Sequence, residues 1–495
     1  MSLVSINFIL FLIVLAFIYY LLPAKWQWVI LLCGSLCFYA LCGTIYTLGY
    51  VLLTTISVYI TTYLMDKAPK YKKVSLIIGI VINIGLLAIL KYIPSIKLIA
   101  ALGISFYTLQ MVGYLSDVYW GMTNRETNIF KVLLFNIYFP QMISGPISRH
   151  SEVKDEIFGL HKYESKNISY GFIRILFGFF KKLMVAEHLS ALTDYLFTHY
   201  SEYPGIYVWI GTILYVLQLY ADFSGCMDIV LGASKVLGIT LPENFNVPFS
   251  ALTIQEIWQR WHITLGTWLK NYIMFPLLRS NMFNKLTSKL KARFGKKAAK
   301  QIPTFIAMFV LWVCMGVWHG CGFNYIAEGL WFYIIIVLGQ IFDKQLKKIG
   351  ECLHIVAKSP EYTLLCKLRT MFLFAIGMLF FKSTALTDAF KMLINGFNVP
   401  KFINSVKTVP NTLILLESNI GANGIIWPAV AIVIGFTFIC YSSKKQLLNE
   451  NLIDNLLTLT FIRRILIIWV MIMLIIILGA YGPGYSASEF IYGGF

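Results

Sequence analysis

The chain of 495 residues is 58% hydrophobic and 13% charged, with a mean hydropathy of +0.73 and a formal net charge of +18. Water-soluble domains carry roughly 25% charged residues, so this composition excludes an ordinary soluble domain and points to a polytopic membrane protein. The Lys and Arg residues are clustered between apolar runs, where they mark topology, and no nucleic-acid partner is expected from them.

About 20 apolar residues cross the roughly 30 Å hydrocarbon layer, and runs of this kind recur along the whole chain. They fall at 4–22, 26–42, 45–65, 74–93, 129–147, 168–190, 205–221, 303–318, 323–342, 367–385, 424–441 and 464–481. The stretches 96–120 and 226–278 are less uniform and are expected to hold re-entrant or interfacial pieces. The expected fold is all-α, with 11 to 14 membrane segments. Met1 to Leu22 has neither a basic leader nor an Ala-x-Ala-like cleavage site, so it is expected to be a retained span. No repeat or long linker divides the sequence, and residues 1–495 are expected to form a single integral-membrane domain, with polar stretches at 279–302, 343–366 and 387–423 as loops or amphipathic helices.

The basic clusters are Lys67 to Lys73, Lys285 to Lys300, Lys344 to Lys348, Lys444-Lys445 and Arg463-Arg464. If all face the cytoplasm, 303–318 and 323–342 form a hairpin that leaves it and returns, and both chain termini lie outside. The nine cysteines include no Cys-x-x-Cys pair and none at zinc spacing to a histidine, so neither a disulfide framework nor a metal site is expected.

Polar and aromatic residues concentrate between Gly103 and Glu328. His319, in Trp318-His319-Gly320, stands where an apolar run meets a Gly-rich stretch, and an ionisable side chain at membrane depth marks a functional site by default. His262 lies in Ile257-Trp258-Gln259-Arg260-Trp261-His262. On a continuous helix Trp258, Trp261, Leu265 and Trp268 would share one face, with Gln255, Gln259 and His262 on a neighbouring polar stripe. Asp222 and Ser224, in Asp222-Phe223-Ser224-Gly225, follow the apolar run 205–221, with Asp228 six residues beyond Asp222; such carboxylates need a donor or cation, for which Arg260 and Arg174 are candidates. Gly145-Pro146 reads as a helix break. Plainer readings are a structural histidine, an interfacial tryptophan anchor and carboxylates that pin a broken helix. Two histidines in one aromatic-rich half favour chemistry, because a neutral imidazole can take the proton of a hydroxyl, as acyl transfer requires.

These strings resemble the membrane-bound O-acyltransferase family, more closely its bacterial branch of alginate O-acetyltransferases and teichoic-acid D-alanyl transfer proteins. The match is carried in order by Gly103-Ile104-Ser105-Phe106-Tyr107-Thr108, Phe139-Pro140-Gln141-Met142-Ile143-Ser144-Gly145-Pro146-Ile147, Asp222-Phe223-Ser224-Gly225, Leu241-Pro242-Glu243-Asn244-Phe245, Arg260-Trp261-His262-Ile263-Thr264-Leu265, Gly316-Val317-Trp318-His319-Gly320 and Phe490-Ile491-Tyr492, with its core at about 100–345. The resemblance implies a bowl-like helical bundle in the plasma membrane, with a central tunnel from a cytoplasmic donor side to an external acceptor side. It implies His319 as the catalytic base and His262 as a second polar site, with Trp318, Gly320, Asp222, Ser224 and Arg260 in binding or supporting roles. It also implies an acyl thioester donor, acetyl-CoA or an acyl carrier, with no tightly bound cofactor. The acceptor would be an external polysaccharide or envelope polymer, served by a secreted or membrane-anchored acyl-transfer partner protein. Cys226-Met227-Asp228 departs from the usual wording after Gly225. Two alternatives stand beside acetyl transfer: D-alanyl transfer to teichoic acid, and, in another class, a polysaccharide transporter or flippase.

Overall fold

A computed structural model describes residues 1–43, 45–93, 103–352, 356, 359–408, 426–481 and 490–491. Among them are helices and no named strand; a lone antiparallel bridge joins Phe245 and Trp261. The first seven residues of the 96–120 stretch, the 409–423 part of the last polar stretch, and Tyr492 lie outside the described residues.

Nine helices among the described residues are long and apolar enough to cross a membrane: Ala24–Cys42, Tyr46–Lys67, Pro69–Tyr92, Ile206–Val236, Asn281–His319, Phe323–Cys352, Pro360–Lys382, Ile426–Leu447 and Phe461–Leu478. Ile6–Leu21 is apolar but shorter, with Ser5 capping its first turn through the Phe8 amide. The chain is therefore a polytopic all-α membrane protein.

Two of the expected spans take other forms. Residues 129–147 break into Ile129–Ile137 and Phe139–Met142, since Pro140 lacks the amide that would continue the first helix, and the chain leaves helix before Gly145-Pro146. Residues 168–190 become the helix Ser165–Lys181, a π turn Lys182–Ala186 and the helix Glu187–Thr198. Asp222 and Asp228 both lie within the unbroken helix Ile206–Val236, so neither pins a helix break.

Contacts divide the chain into two units, Met1–His188 with Leu219–Glu243 and Trp427–Phe495, and Leu189–Gln218 with Asn244–Ile426. In the first, Ser165–Lys181 packs antiparallel to the latter part of Ile206–Val236: Gly171 faces Gly232 and Gly178 faces Gly225. A Cβ on Gly171 would stand 2.6 Å from the Gly232 carbonyl oxygen, so the missing side chains permit the close approach. In the second unit, Asn281–His319 and Phe323–Cys352 form a hairpin closed by the short turn at 320–322. Gly316 lies against Tyr325 and Ile326, and Gly329 against Trp312. Gly295 at φ 79° interrupts the first helix of this hairpin ahead of Pro303.

Candidate active site

His319 is the last residue of its helix. Gly320 follows in extended conformation and its amide donates to the Gly316 carbonyl (3.3 Å), which caps the helix. The hairpin then returns, and Glu328 comes up beside the histidine: Nδ1–H of His319 donates to Oε2 of Glu328 at 2.9 Å. Both side chains are almost fully buried, at 1% and 0% exposure. A carboxylate can only accept, so Nδ1 carries the proton and the lone pair lies on Nε2. Phe381 meets the imidazole edge-on at 5.0 Å. Asn324 secures the start of the returning helix by donating to the carbonyls of Phe380 (3.3 Å) and Ser383 (2.9 Å).

His262 does not sit on a continuous amphipathic helix. Helix stops at Arg260 and restarts at Ile263, with Trp261 extended and His262 at φ 45°, ψ 52°. A left-handed non-glycine residue costs on the order of 1–3 kcal/mol and persists only where its surroundings hold it. Here the hold is a short two-stranded clasp: the Asn246 amide donates to the Arg260 carbonyl (2.9 Å) and the Ile263 amide to the Asn244 carbonyl (3.1 Å). The Asn244 side-chain oxygen accepts from the Thr264 amide (3.1 Å) and hydroxyl (3.0 Å) and from His262 Nδ1 (3.2 Å). As that oxygen is an acceptor, His262 too must carry its proton on Nδ1. Burial, and secondarily the neighbouring His319, pushes the His262 pKa well below the usual imidazole range, so this residue, outside the nine candidate spans, is held neutral.

Trp318 joins the two histidines, its ring centroid 6.1 Å from His262 and 5.3 Å from His319. Two of the tryptophans expected on one helix face instead enter an aromatic cluster: Trp258 packs on Trp312 and Phe332, and Trp261 on Phe245 and Phe374, while Trp268 lies against Tyr272. A cleft of about 150 Å³ shares Trp258 and Trp312, with Met274, Met308 and Met315 inside and Gln255, Gln259, Lys270 and Gln340 among its polar lining.

His262, Trp318, His319 and Gly320 thus come together in the second unit. Arg260 belongs to the same unit, but its guanidinium is engaged by Glu256 (3.0 Å) and the Asn246 carbonyl (3.2 Å) rather than by Asp222. Asp222 and Ser224 belong to the first unit. There Asp222 takes Lys182 Nζ on one oxygen (2.6 Å) and the Ile491 amide on the other (2.8 Å). Lys182 also meets Glu187 at 2.7 Å and the Phe490 ring at 4.8 Å. Asp228 is held by Arg174 (3.2 Å) and Lys181 (2.7 Å). Of the two arginines expected as carboxylate partners, Arg174 takes that role, for Asp228, and Arg260 does not.

Sequence reasoning missed Glu328. It is the sole charged residue of the apolar run 323–342, so the rule that drew attention to His319 applied equally to it. Lys182 escaped because its partner Asp222 is supplied by a distant helix, and Glu187 because it pairs with Lys182. Among the described residues no group of three His, Cys, Asp or Glu stands together as a metal site would need.

The sequence profile of the membrane-bound O-acyltransferase family matches residues 123–350, which bracket both histidines, Asn244 and Glu328. Over that stretch the chain is similar to this family. It is 30% identical over 350 residues to the probable alginate O-acetylase AlgI of Pseudomonas aeruginosa, covering 66% of this chain and 64% of that protein, slightly under two thirds of its length. It is 27% identical over 487 residues to the peptidoglycan O-acetyltransferase of Helicobacter pylori, covering 88% and 86%. With the teichoic acid D-alanyltransferase of Bacillus subtilis it shares 31% identity over 261 residues, 52% of this chain and 62% of the relative.

Proposed function

We propose that this chain is an O-acyltransferase that moves an acyl group, acetyl in the leading reading, from a cytoplasmic thioester to hydroxyls of a cell-envelope or exported polysaccharide. One observation carries the reading: a buried helix-end imidazole, His319, whose Nδ1–H is held by a carboxylate while a second, neutral imidazole stands beside the same tryptophan. That arrangement leaves the Nε2 lone pair of His319 as the base.

In the reaction, Nε2 of His319 takes the proton of the acceptor hydroxyl as its oxygen forms a bond to the thioester carbonyl carbon. The C–S bond then breaks, and the departing thiolate takes the proton back from the imidazolium, so an alcohol and a thioester become an ester and a thiol. General-base assistance contributes on the order of 10²- to 10⁴-fold. The developing oxyanion needs a donor; the Gly320 amide is already committed to its helix cap, and the Trp318 ring N–H is the candidate for that role. The neutral His262 serves to orient the acyl group. The Met- and Trp-lined cleft with glutamines at its margin suits the apolar and amide-bearing arm of an acyl thioester. Asp222, Ser224 and Arg260 have supporting roles. An external acyl-transfer partner protein would complete delivery to the polymer.

The test is mild-base release of ester-linked acids from the surface polymers of cells expressing wild type or His319→Ala at matched levels. Acetate lost in the variant, with polymer yield unchanged, is the expected result. Loss of alanine would move the assignment to D-alanyl transfer, the reading favoured by the likeness to the Bacillus protein. Unchanged esters with reduced polymer export would replace the enzyme by a transporter.

A further inference from the structure

Two buried carboxylates in this protein are satisfied in different ways. Asp222 has a donor on each oxygen, Lys182 Nζ on one and the Ile491 amide on the other, the arrangement of a structural ion pair. Glu328, at 0% exposure, has His319 Nδ1 on Oε2, while Oε1 is buried and has no hydrogen-bond donor among the described residues. A carboxylate placed for stability alone is poorly served by this, since a buried oxygen without a donor bears its full desolvation penalty.

From this asymmetry we infer that Glu328 is a positioning residue for the acyl transfer: it fixes the tautomer and orientation of His319 and stabilises the positive charge that appears on its ring when the acceptor proton arrives. This rests on the acyltransferase reading above. A general base takes up its proton only during the reaction, so before transfer the carboxylate faces a single imidazole N–H. When His319 becomes an imidazolium the same 2.9 Å contact becomes a charge pair in a water-poor site. The stabilisation is therefore realised in the transition state and not in the bound ground state, and it belongs in kcat rather than KM. Glu328 does not touch substrate and acts only through His319. The hairpin supplies the geometry: the turn at 320–322 sets the two helices antiparallel, and the contacts of Gly316 and Gly329 bring the returning helix close enough for a side chain nine residues later to reach the helix-end imidazole.

The experiment uses the full-length chain in inside-out membrane vesicles from cells that make the acceptor polymer, with acetyl-CoA as donor probe and thiol release as readout. Wild type, Glu328→Gln, His319→Ala and the double variant are compared, with the thermal midpoint of each protein measured after detergent extraction. Glu328→Gln preserves shape and removes charge. Its kcat is expected to fall by about 10²-fold or more, as carboxylate-to-amide changes behind a catalytic histidine do. KM for acetyl-CoA and the thermal midpoint should stay close to wild type. In the His319→Ala background the same change should have no further effect, because Glu328 has no other route to the reaction.

Turnover of Glu328→Gln within a few-fold of wild type would overturn the inference, as a neutral acceptor would then suffice. A parallel loss of thermal midpoint, or a further drop in the double variant, would also overturn it in favour of a packing role. Failure of the underlying reading looks different: wild-type vesicles would release no more thiol than His319→Ala vesicles, and the inference would fall with it.

Discussion

The histidines of this protein differ in what meets their ring nitrogens. His319 Nδ1 meets a carboxylate and His262 Nδ1 an amide oxygen. His150 meets neither: its ring lies against Tyr114 (4.7 Å), Phe135 (5.0 Å) and Phe158 (6.2 Å), and neither nitrogen has a hydrogen-bond partner among the described residues. Burial, aided by Lys154 and opposed by Asp155, pushes its pKa down from 6.5 to about 4. The folded protein therefore prefers the neutral ring, a preference fully present above about pH 6.5 and lost as pH falls towards 4. Thermal unfolding of the detergent-extracted protein should shift to lower temperature across that window. His150→Phe keeps an aromatic ring in the same surroundings and removes the proton, so its midpoint should fall less between pH 6.5 and 4. An equal fall in both proteins would assign the acid sensitivity elsewhere.

At the scale of elements, the positions of the charged groups depend on how closely helices approach. Ser165–Lys181 and Ile206–Val236 meet through glycines seven residues apart on each, in reversed order, which brings Arg174 and Lys181 onto Asp228. A side chain at Gly178 would run into the Gly225 carbonyl and Ile229. Gly178→Leu should therefore cut accumulation and lower the thermal midpoint, by several kcal/mol of overpacking and lost ion pairing. Gly85, with nothing within 4 Å of its missing Cβ, is the control. Gly85→Ala should be neutral or stabilising by up to about 1 kcal/mol from helix propensity. If the two substitutions behaved alike in a thermal-stability assay, close glycine contact would not be what holds this helix pair. The break at His262 belongs to this scale as well. The periodicity of Trp258, Trp261, Leu265 and Trp268 suited one helix, but the clasp from Asn244 to Asn246 offers the backbone competing hydrogen bonds and turns the chain at the histidine.

For the whole molecule, the basic clusters and the hairpin together carry an orientation. Lys285 to Lys300 lie at the far end of Asn281–His319 from its turn, and Lys344 to Lys348 at the far end of Phe323–Cys352. With both clusters cytoplasmic, the turn at 320–322 and His319 approach the external face. Cys321 and Cys352, both exposed, lie near opposite ends of this hairpin and serve as reporters. In versions that keep one of them and replace the other eight cysteines, a membrane-impermeant maleimide should label Cys321 in intact cells and Cys352 only in inside-out vesicles. The reverse pattern would invert the hairpin and put His319 on the cytoplasmic side.

Hydropathy and charge clustering are properties of contiguous segments, so the sequence by itself determined the membrane class, most of the long helices and the prominence of His319 and His262. A helix of 20 apolar residues is insoluble in water and saturates its own backbone hydrogen bonds wherever its neighbours lie. Glu328 was legible in principle, as the lone charge in an apolar run, but nothing local named its partner. Only the tertiary structure decided that Glu328 faces His319, that Asn244 turns the chain at His262, that Lys182 rather than an arginine serves Asp222, and that Arg260 stays with Glu256. Each of those pairings except the last joins residues brought together by a turn, a backbone clasp or packing between helices, and a buried polar group takes whichever partner that packing delivers.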